Sequence, residues 1–237
     1  MPDHIHFILK VKSYLVKHLG NYIGALKGQC TASVRDVLPH LNINGDSIFE
    51  ENSHDRIIRS VEMYEREMAY LDNNPRRLLL RKLFPEAFRS PIKIHLNGAW
   101  ISAFGNLGLL DSPIIDLLVV RSRFGAAELA ILRARWERVG RQGGVVVSPL
   151  ISPKEKEMCK AAVEAGASVI HVMDNGFPPR YKPASAWDEL LVEGRYLEIG
   201  QEEFSTRRES MHRSKAMAMN RFARSISHSH SRLLSDL

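Results

Sequence analysis

His4 and His6 stand two residues apart in the run His4-Ile5-His6-Phe7-Ile8-Leu9, whose alternation predicts a strand. Side chains on a strand repeat every second residue, so both imidazoles face the same way and offer two neutral nitrogen ligands side by side. Tyr70 and Asn74 are four residues apart on a predicted helix and therefore share a face. A phenol can attack a phosphodiester and hold it covalently. It needs assistance, because its ordinary pKa is about 10. A divalent cation supplies that help by polarising the phosphate and balancing the developing charge. Two imidazoles and one amide oxygen leave coordination positions open for phosphate and water, a set that suits Mg²⁺ or Mn²⁺ better than a closed structural zinc. Spacing alone leaves two readings of these residues open: tyrosine chemistry beside a divalent metal, or a surface or structural histidine pair and a tyrosine used for packing.

These residues need elements to position them. From Ser13 to about Arg35, Leu15, Leu19, Tyr22, Ile23 and Leu26 recur at helical spacing. Residues 42–53 are rich in turn formers and read as a loop. Ser60 caps a helix that runs to about Asn73, with Glu62 in the first turn favoured by the helix dipole. Pro75 ends or kinks that helix, and residues 76–84 form another short one.

After Pro91 the pattern changes to strands alternating with helices. Ile114–Val120 is apolar except for Asp116, close to what a buried parallel strand requires. A helix over Gly125–Val139 follows, then a strand over Val145–Ile151. Ser152-Pro153-Lys154-Glu155 is a capping box with proline at the first helical position, and Gly166 closes that helix. Val169–Met173 is the next strand, Ser185–Gly194 the next helix, and Tyr196–Ile199 the last strand. This alternation predicts a parallel sheet flanked by helices. Thr206–Arg224 reads as a long basic helix and residues 225–237 as a flexible tail, where His228 and His230 repeat the two-residue histidine spacing.

Composition narrows the classes. The 237 residues are 44% apolar and 25% charged, ordinary for a globular protein. No apolar run reaches the roughly 18 residues of a membrane helix, and the start of the chain predicts no secretory signal. Cys30 and Cys159 are the two cysteines, which excludes a disulfide scaffold and fits a reducing, cytoplasmic setting. The net charge of +6 is uneven: residues 205–237 carry 7 Lys+Arg against 2 Asp+Glu, while residues 91–204 carry 13 against 14. A basic segment of that kind neutralises phosphates, or forms a solvated helix.

The order of motifs adds a resemblance. Met1-Pro2-Asp3-His4-Ile5-His6-Phe7-Ile8-Leu9, then Lys17 to Lys27, then Phe49 to Arg59, and finally Tyr70-Leu71-Asp72-Asn73-Asn74-Pro75 are together similar to the single-tyrosine (HUH) transposases associated with repetitive extragenic palindromes. The resemblance spans roughly residues 1–85 and implies a Tyr70 nucleophile with His4, His6 and Asn74 on Mg or Mn. It also implies action on single-stranded DNA near hairpins through a 5′-phosphotyrosine. Lys10, Lys12, Lys17, Lys27, Arg56 and Arg59 would then hold the strand. In that family, elements preceding the histidine motif help complete a ferredoxin-like sheet. The expectation here is a truncated ferredoxin-like segment of one strand plus helices, its sheet completed by another element or chain, which leaves a homodimer open.

A second resemblance covers residues 92–224. Gly105-Asn106-Leu107-Gly108, Val119-Val120-Arg121-Ser122-Arg123, Val145-Val146-Val147-Ser148-Pro149, Gly166-Ala167-Ser168-Val169-Ile170-His171-Val172 and Asn175-Gly176-Phe177-Pro178-Pro179-Arg180-Tyr181 resemble, in order, the DNA-processing A (Smf) family. That implies a Rossmann-like fold and single-stranded-DNA binding. Arg121-Ser122-Arg123 and Ser148-Pro149 replace glycine-bearing turns of that family, so a phosphate would be met by arginine charge rather than by close backbone approach. Arg207, Arg208 and Arg213 fall in its arginine-rich stretch.

The expected organisation is therefore α/β: residues 1–90 a partial transposase-like domain, 91–224 a Rossmann-like domain, and 225–237 a tail. Three functions follow in order. The first is a DNA-binding transposase-like protein acting on single-stranded or hairpin DNA, inactive if the truncation removes essential parts. The second is a non-catalytic single-stranded-DNA-binding or nucleotide-binding Rossmann-like protein. The third is an inactive mobile-element remnant.

Overall fold

The computed structural model describes residues 5–40, 47–50, 56–179, 181–207 and 210–228. The chain divides into two compact units, Met1–Asn74 and Pro75–Leu237.

The first unit is helical. Helix α1 spans Leu19–Val37, starting later than the spacing predicts because His18 caps it: Gly20 N–H donates to His18 Nδ1 at 3.2 Å. Helix α2 spans Val61–Leu83 and its first four turns belong to this unit. Ser60 does cap it, with Met63 N–H donating to Ser60 Oγ at 3.2 Å. The expected strand at the histidine motif does not form: residues 5–9 carry no strand, and His4 lies outside the described residues. A strand exists only through ladder hydrogen bonds to a neighbour. No strand of the first unit is present among the described residues to supply them.

The second unit opens inside α2. Pro75 lies within the helix rather than ending it, so the two short helices expected on either side are one. The helix continues to Leu83 because its later turns are anchored. Arg77 Nε lies 3.1 Å from Asp188 Oδ2, and Arg76 Nη2 lies 2.6 Å from Glu189 Oε1. A short 3₁₀ turn, Pro85–Phe88, follows.

Next come β1 (Ile92–Leu96) and β2 (Ala99–Gly105), an antiparallel hairpin absent from the expected pattern. Its turn is Asn97-Gly98, and both residues have positive φ, 52° and 82°. That is the backbone of a type I′ turn, which asparagine followed by glycine adopts at least cost. The rest alternates as predicted: β3 (Ile115–Leu117), α3 (Ala126–Arg141), β4 (Val145–Ser148), α4 (Pro153–Glu164), β5 (Ser168–Val172), α5 (Asp188–Val192), β6 (Tyr196–Gln201) and α6 (Arg213–His228). Helix α6 starts later than Thr206 and continues past Arg224, where Ile226 is buried, so the expected tail is helical at its beginning.

The sheet has the order β1-β2-β6-β5-β4-β3. Strands β3 to β6 are parallel, and β2 joins β6 antiparallel, so the sheet is mixed rather than wholly parallel. Strand alternation sorts the core into two layers. Val146, Val169 and Tyr196 face Trp136 of α3, Met158 of α4 and Leu190 of α5. Val145, Val147, Ile170 and Ile199 face Met219, Ala223 and Ile226 of α6. The one charge in the β3 run, Asp116, is held by a two-point pair with Arg135 of α3, at 2.5 and 2.6 Å.

Candidate nucleic-acid interface

In the first unit, α2 carries Tyr70 and Asn74 on one face. Tyr70 is 38% exposed, and the ring of His6 meets it edge-on with centroids 5.6 Å apart. Two of the four residues predicted for tyrosine chemistry are thus neighbours. Asn74, one helical turn on, is buried. Among the described residues no group of three or more His, Cys, Asp or Glu is placed to hold a metal. The cations predicted around them divide into two kinds. Lys27 Nζ donates to the Glu50 carbonyl at 2.6 Å, and Arg56 pairs with Glu67 at 2.9 Å, so both serve the unit internally. Lys10, Lys12, Lys17 and Arg59 are exposed.

In the second unit, the exits of β3, β4, β5 and β6 all open on one end of the sheet, because parallel strands share a direction. In open α/β sheets this carboxyl edge is where ligands bind. The loop after β3 presents Arg121 and Arg123, both exposed and neither in a side-chain ion pair among the described residues. The segment after β6 presents Arg207, with Arg213 at the start of α6, also exposed. Arg208 lies outside the described residues. Lys215 of α6 binds Asp174 at the exit of β5 at 2.9 Å, bringing the beginning of that helix to the same edge.

The N-terminus of α4 is already capped, and a carboxylate stands at that of α3. Ser152 caps α4, with Glu155 N–H donating to Ser152 Oγ at 3.1 Å. Glu155, 3% exposed, accepts from Ser152 N–H at 3.0 Å and from Val120 N–H at 3.1 Å. Pro153 at the first helical position has no N–H to offer. At α3, Gly125 N–H donates to Glu128 Oε2 at 2.7 Å. Helix N-termini bind phosphate through free amides and the dipole. At α3 and α4 an internal carboxylate occupies that position, and a phosphate would meet its negative charge.

The same fold contains a polar network that the strand pattern conceals. Glu198, 2% exposed on β6, accepts from Tyr196 Oη at 2.9 Å and from Tyr181 Oη at 2.5 Å. Tyr196 Oη also lies 3.0 Å from His171 Nδ1. Burial first, and the Glu198 carboxylate second, push both phenols upward. They stay protonated and serve as donors, not nucleophiles. Burial also pushes the Cys159 thiol up to about 12, which keeps it inert. Beside the network is a cavity of about 240 Å³ lined by Arg81, Pro85, Phe88, Phe104, Tyr181 and Pro183. Sequence reading missed Glu198 because Tyr196–Ile199 reads as an ordinary buried strand. Its only signal is an acid inside that run.

No family model matches the chain. No curated protein matches it either. Two solved structures are similar in outline. DNA processing protein A from Helicobacter pylori, described for its single-stranded-DNA binding mode, is 14% identical over 59% of this chain and 66% of its own, with a TM-score of 0.42. DNA processing protein A (DprA) from Streptococcus pneumoniae is 15% identical over 89% of this chain and 76% of its own, with a TM-score of 0.41. At those values neither likeness bears on function. No described helix is long and apolar enough to cross a membrane.

Proposed function

We propose that the second unit is a non-catalytic, single-stranded-DNA-binding module of Rossmann-like architecture that holds phosphates by arginine side chains. The observation that carries this reading is the carboxyl edge of the sheet. Arg121 and Arg123 stand there exposed without acidic partners among the described residues, while Glu128 and Glu155 set carboxylates at the N-termini of α3 and α4, where they oppose a phosphate. This chemistry favours a strand bound through its backbone over a mononucleotide held in a cradle. The basic segment after residue 204 adds charge of the same sign.

Binding of a fluorescein-labelled dT12 strand, followed by anisotropy across a salt series, tests the reading. Each phosphate contact on a single strand contributes about −0.7 to the slope of log K against log salt. The double variant Arg121→Gln, Arg123→Gln should therefore lower the slope by about 1.4. A wild-type affinity that ignores salt, or a double variant with an unchanged slope, would overturn it.

A second reading rests on the 5.6 Å approach of the His6 and Tyr70 rings. In it, the Tyr70 oxygen attacks a phosphodiester of single-stranded DNA, a phosphotyrosine bond forms, and the 3′ oxygen leaves and takes up a proton. The metal, Mg²⁺ or Mn²⁺, would be held by His4, His6 and Asn74. Incubation with Mn²⁺ and labelled hairpin-flanked strands should give a covalent adduct that Tyr70→Phe abolishes. No adduct over a range of hairpins sinks this reading and leaves the first intact.

A further inference from the structure

The β1–β2 hairpin carries a feature that the arginine edge does not explain. Trp100 is 57% exposed on β2. Its cross-strand partner in the ladder is His95, whose ring meets the indole edge-on at 5.4 Å and 71°. Lys93, two residues before His95 and so on the same side of the strand, reaches Glu202 at the exit of β6, 3.1 Å away.

The topology places this pair on the same edge as the arginines. Strands β1 and β6 are both antiparallel to β2, so they run in one direction. The carboxyl end of β1, and the Asn97-Gly98 turn next to Trp100, therefore open where β3 to β6 open. From β2, which carries Trp100, to β3 the sheet order leaves four strand spacings, about 19 Å at roughly 4.8 Å each. One edge thus carries an exposed indole at one end and Arg121 and Arg123 at the other.

We propose that Trp100, backed by His95, is a base-stacking platform for the same single strand whose phosphates Arg121 and Arg123 hold. This inference rests on the DNA-binding reading above. An aromatic face accepts any base by stacking, while cations track the backbone, so the two ends of the edge supply the two complementary contacts that sequence-tolerant strand binding uses. The edge-on contact between the two rings orders the indole before binding and reduces the ordering cost of the stack.

The test uses the full chain, dT12 and the same salt series. Trp100→Ala should weaken binding about 5- to 150-fold, the loss expected for one base–aromatic stack, with the salt slope unchanged. Trp100→Phe, which keeps a ring, should recover most of the affinity. Wild-type indole emission should be quenched by dT12, and Trp100→Phe should lose that quenching although Trp136 and Trp187 remain. If wild type binds dT12 with salt dependence and Trp100→Ala binds equally well, the stacking platform is wrong and the arginine reading survives. If wild type does not bind dT12 at all, both fall. Circular dichroism of each variant separates lost binding from lost folding.

Discussion

The two units use the same amino-acid vocabulary to opposite effect. In the first, the buried residues among those described are Thr31 and Asn74, both polar. Ile5, Phe7, Tyr14 and Val16 are exposed, Tyr14 to 93%. In the second, the buried set is mainly apolar and falls into two layers on either side of a sheet. Amphipathic helices are stabilised chiefly by the face they bury. Helices α1 and α2 have the periodicity, but within the first unit they bury no apolar side chain among the described residues. Among the described residues Leu19, Ile23, Met68 and Leu71 are only half-buried, and polar contacts join the unit as well: Thr31 Oγ1 donates to the Lys27 carbonyl at 2.8 Å and accepts from Ile48 N–H at 3.3 Å, and Arg56 meets Glu67. Periodicity is therefore evidence of an element and not of a core.

The largest expected effect comes from separating the units. Residues 75–237 expressed alone should unfold in urea with a single cooperative transition, whereas residues 1–74 alone should show none. A cooperative transition in the shorter piece would erase the contrast. Next in size are single truncations. Trp136→Ala removes an indole buried in the helix-facing layer and bonded to the Leu117 carbonyl at 3.2 Å, and should cost about 3–5 kcal/mol. Tyr14→Ala should stay within about 0.5 kcal/mol. Urea midpoints at constant m-value measure both, and comparable losses would break the comparison.

Charged groups should rank the same way, with smaller values. Glu198→Gln disturbs two buried phenol hydrogen bonds and should cost about 1–3 kcal/mol. Glu67→Gln loses a largely solvated pair with Arg56 and should cost at most about 1 kcal/mol. Equal costs would mean that burial does not govern the difference.

The smallest effect concerns pH. Burial raises the Asp188 carboxyl, with Arg77, Arg81 and Arg76 pulling it back down. A folded-state value above the unfolded one means the native state binds the proton more readily. Ionisation of Asp188 then subtracts from stability at neutral pH, and the subtraction fades as pH falls through the folded value. Asp188→Asn should remove that gain, so wild type should improve relative to the variant on acidification from pH 7. A difference between the two proteins that does not vary with pH would rule it out.

Much of the second unit was legible in the sequence. The run of β3 to β6 with intervening helices followed from alternating periods, and Ser152-Pro153-Lys154-Glu155 marked the start of α4 correctly. The β1–β2 hairpin was missed although Asn97-Gly98 sits between the alternating run Ile92–Leu96 and the apolar run that begins at Ala99, a strong local hairpin signal. The strand expected at the histidine motif failed for a different reason: alternation fits a side chain to a pleat but supplies no ladder partner. Of the candidate sites, the spacing of Tyr70 and Asn74 gave a shared helix face. The approach of His6 to Tyr70 joins residues far apart in the chain, and no local pattern measures that distance. The occupancy of the α4 N-terminus was half visible, because the capping box names Glu155 but not its bond to Val120 of the preceding crossover.

By itself, then, the sequence determined which segments are helix and which are strand across most of the second unit, where the basic charge lies, and which residue types are present for phosphate or tyrosine chemistry. These are short-range properties, written in periods of two and 3.6 residues and in caps. Only the tertiary structure decided that β2 turns the parallel sheet into a mixed one, that Glu198 is buried among phenols, and that Trp100 and the arginines open on one edge. Those outcomes depend on which strands pair and in what direction, and pairing is settled by burial of whole faces against each other.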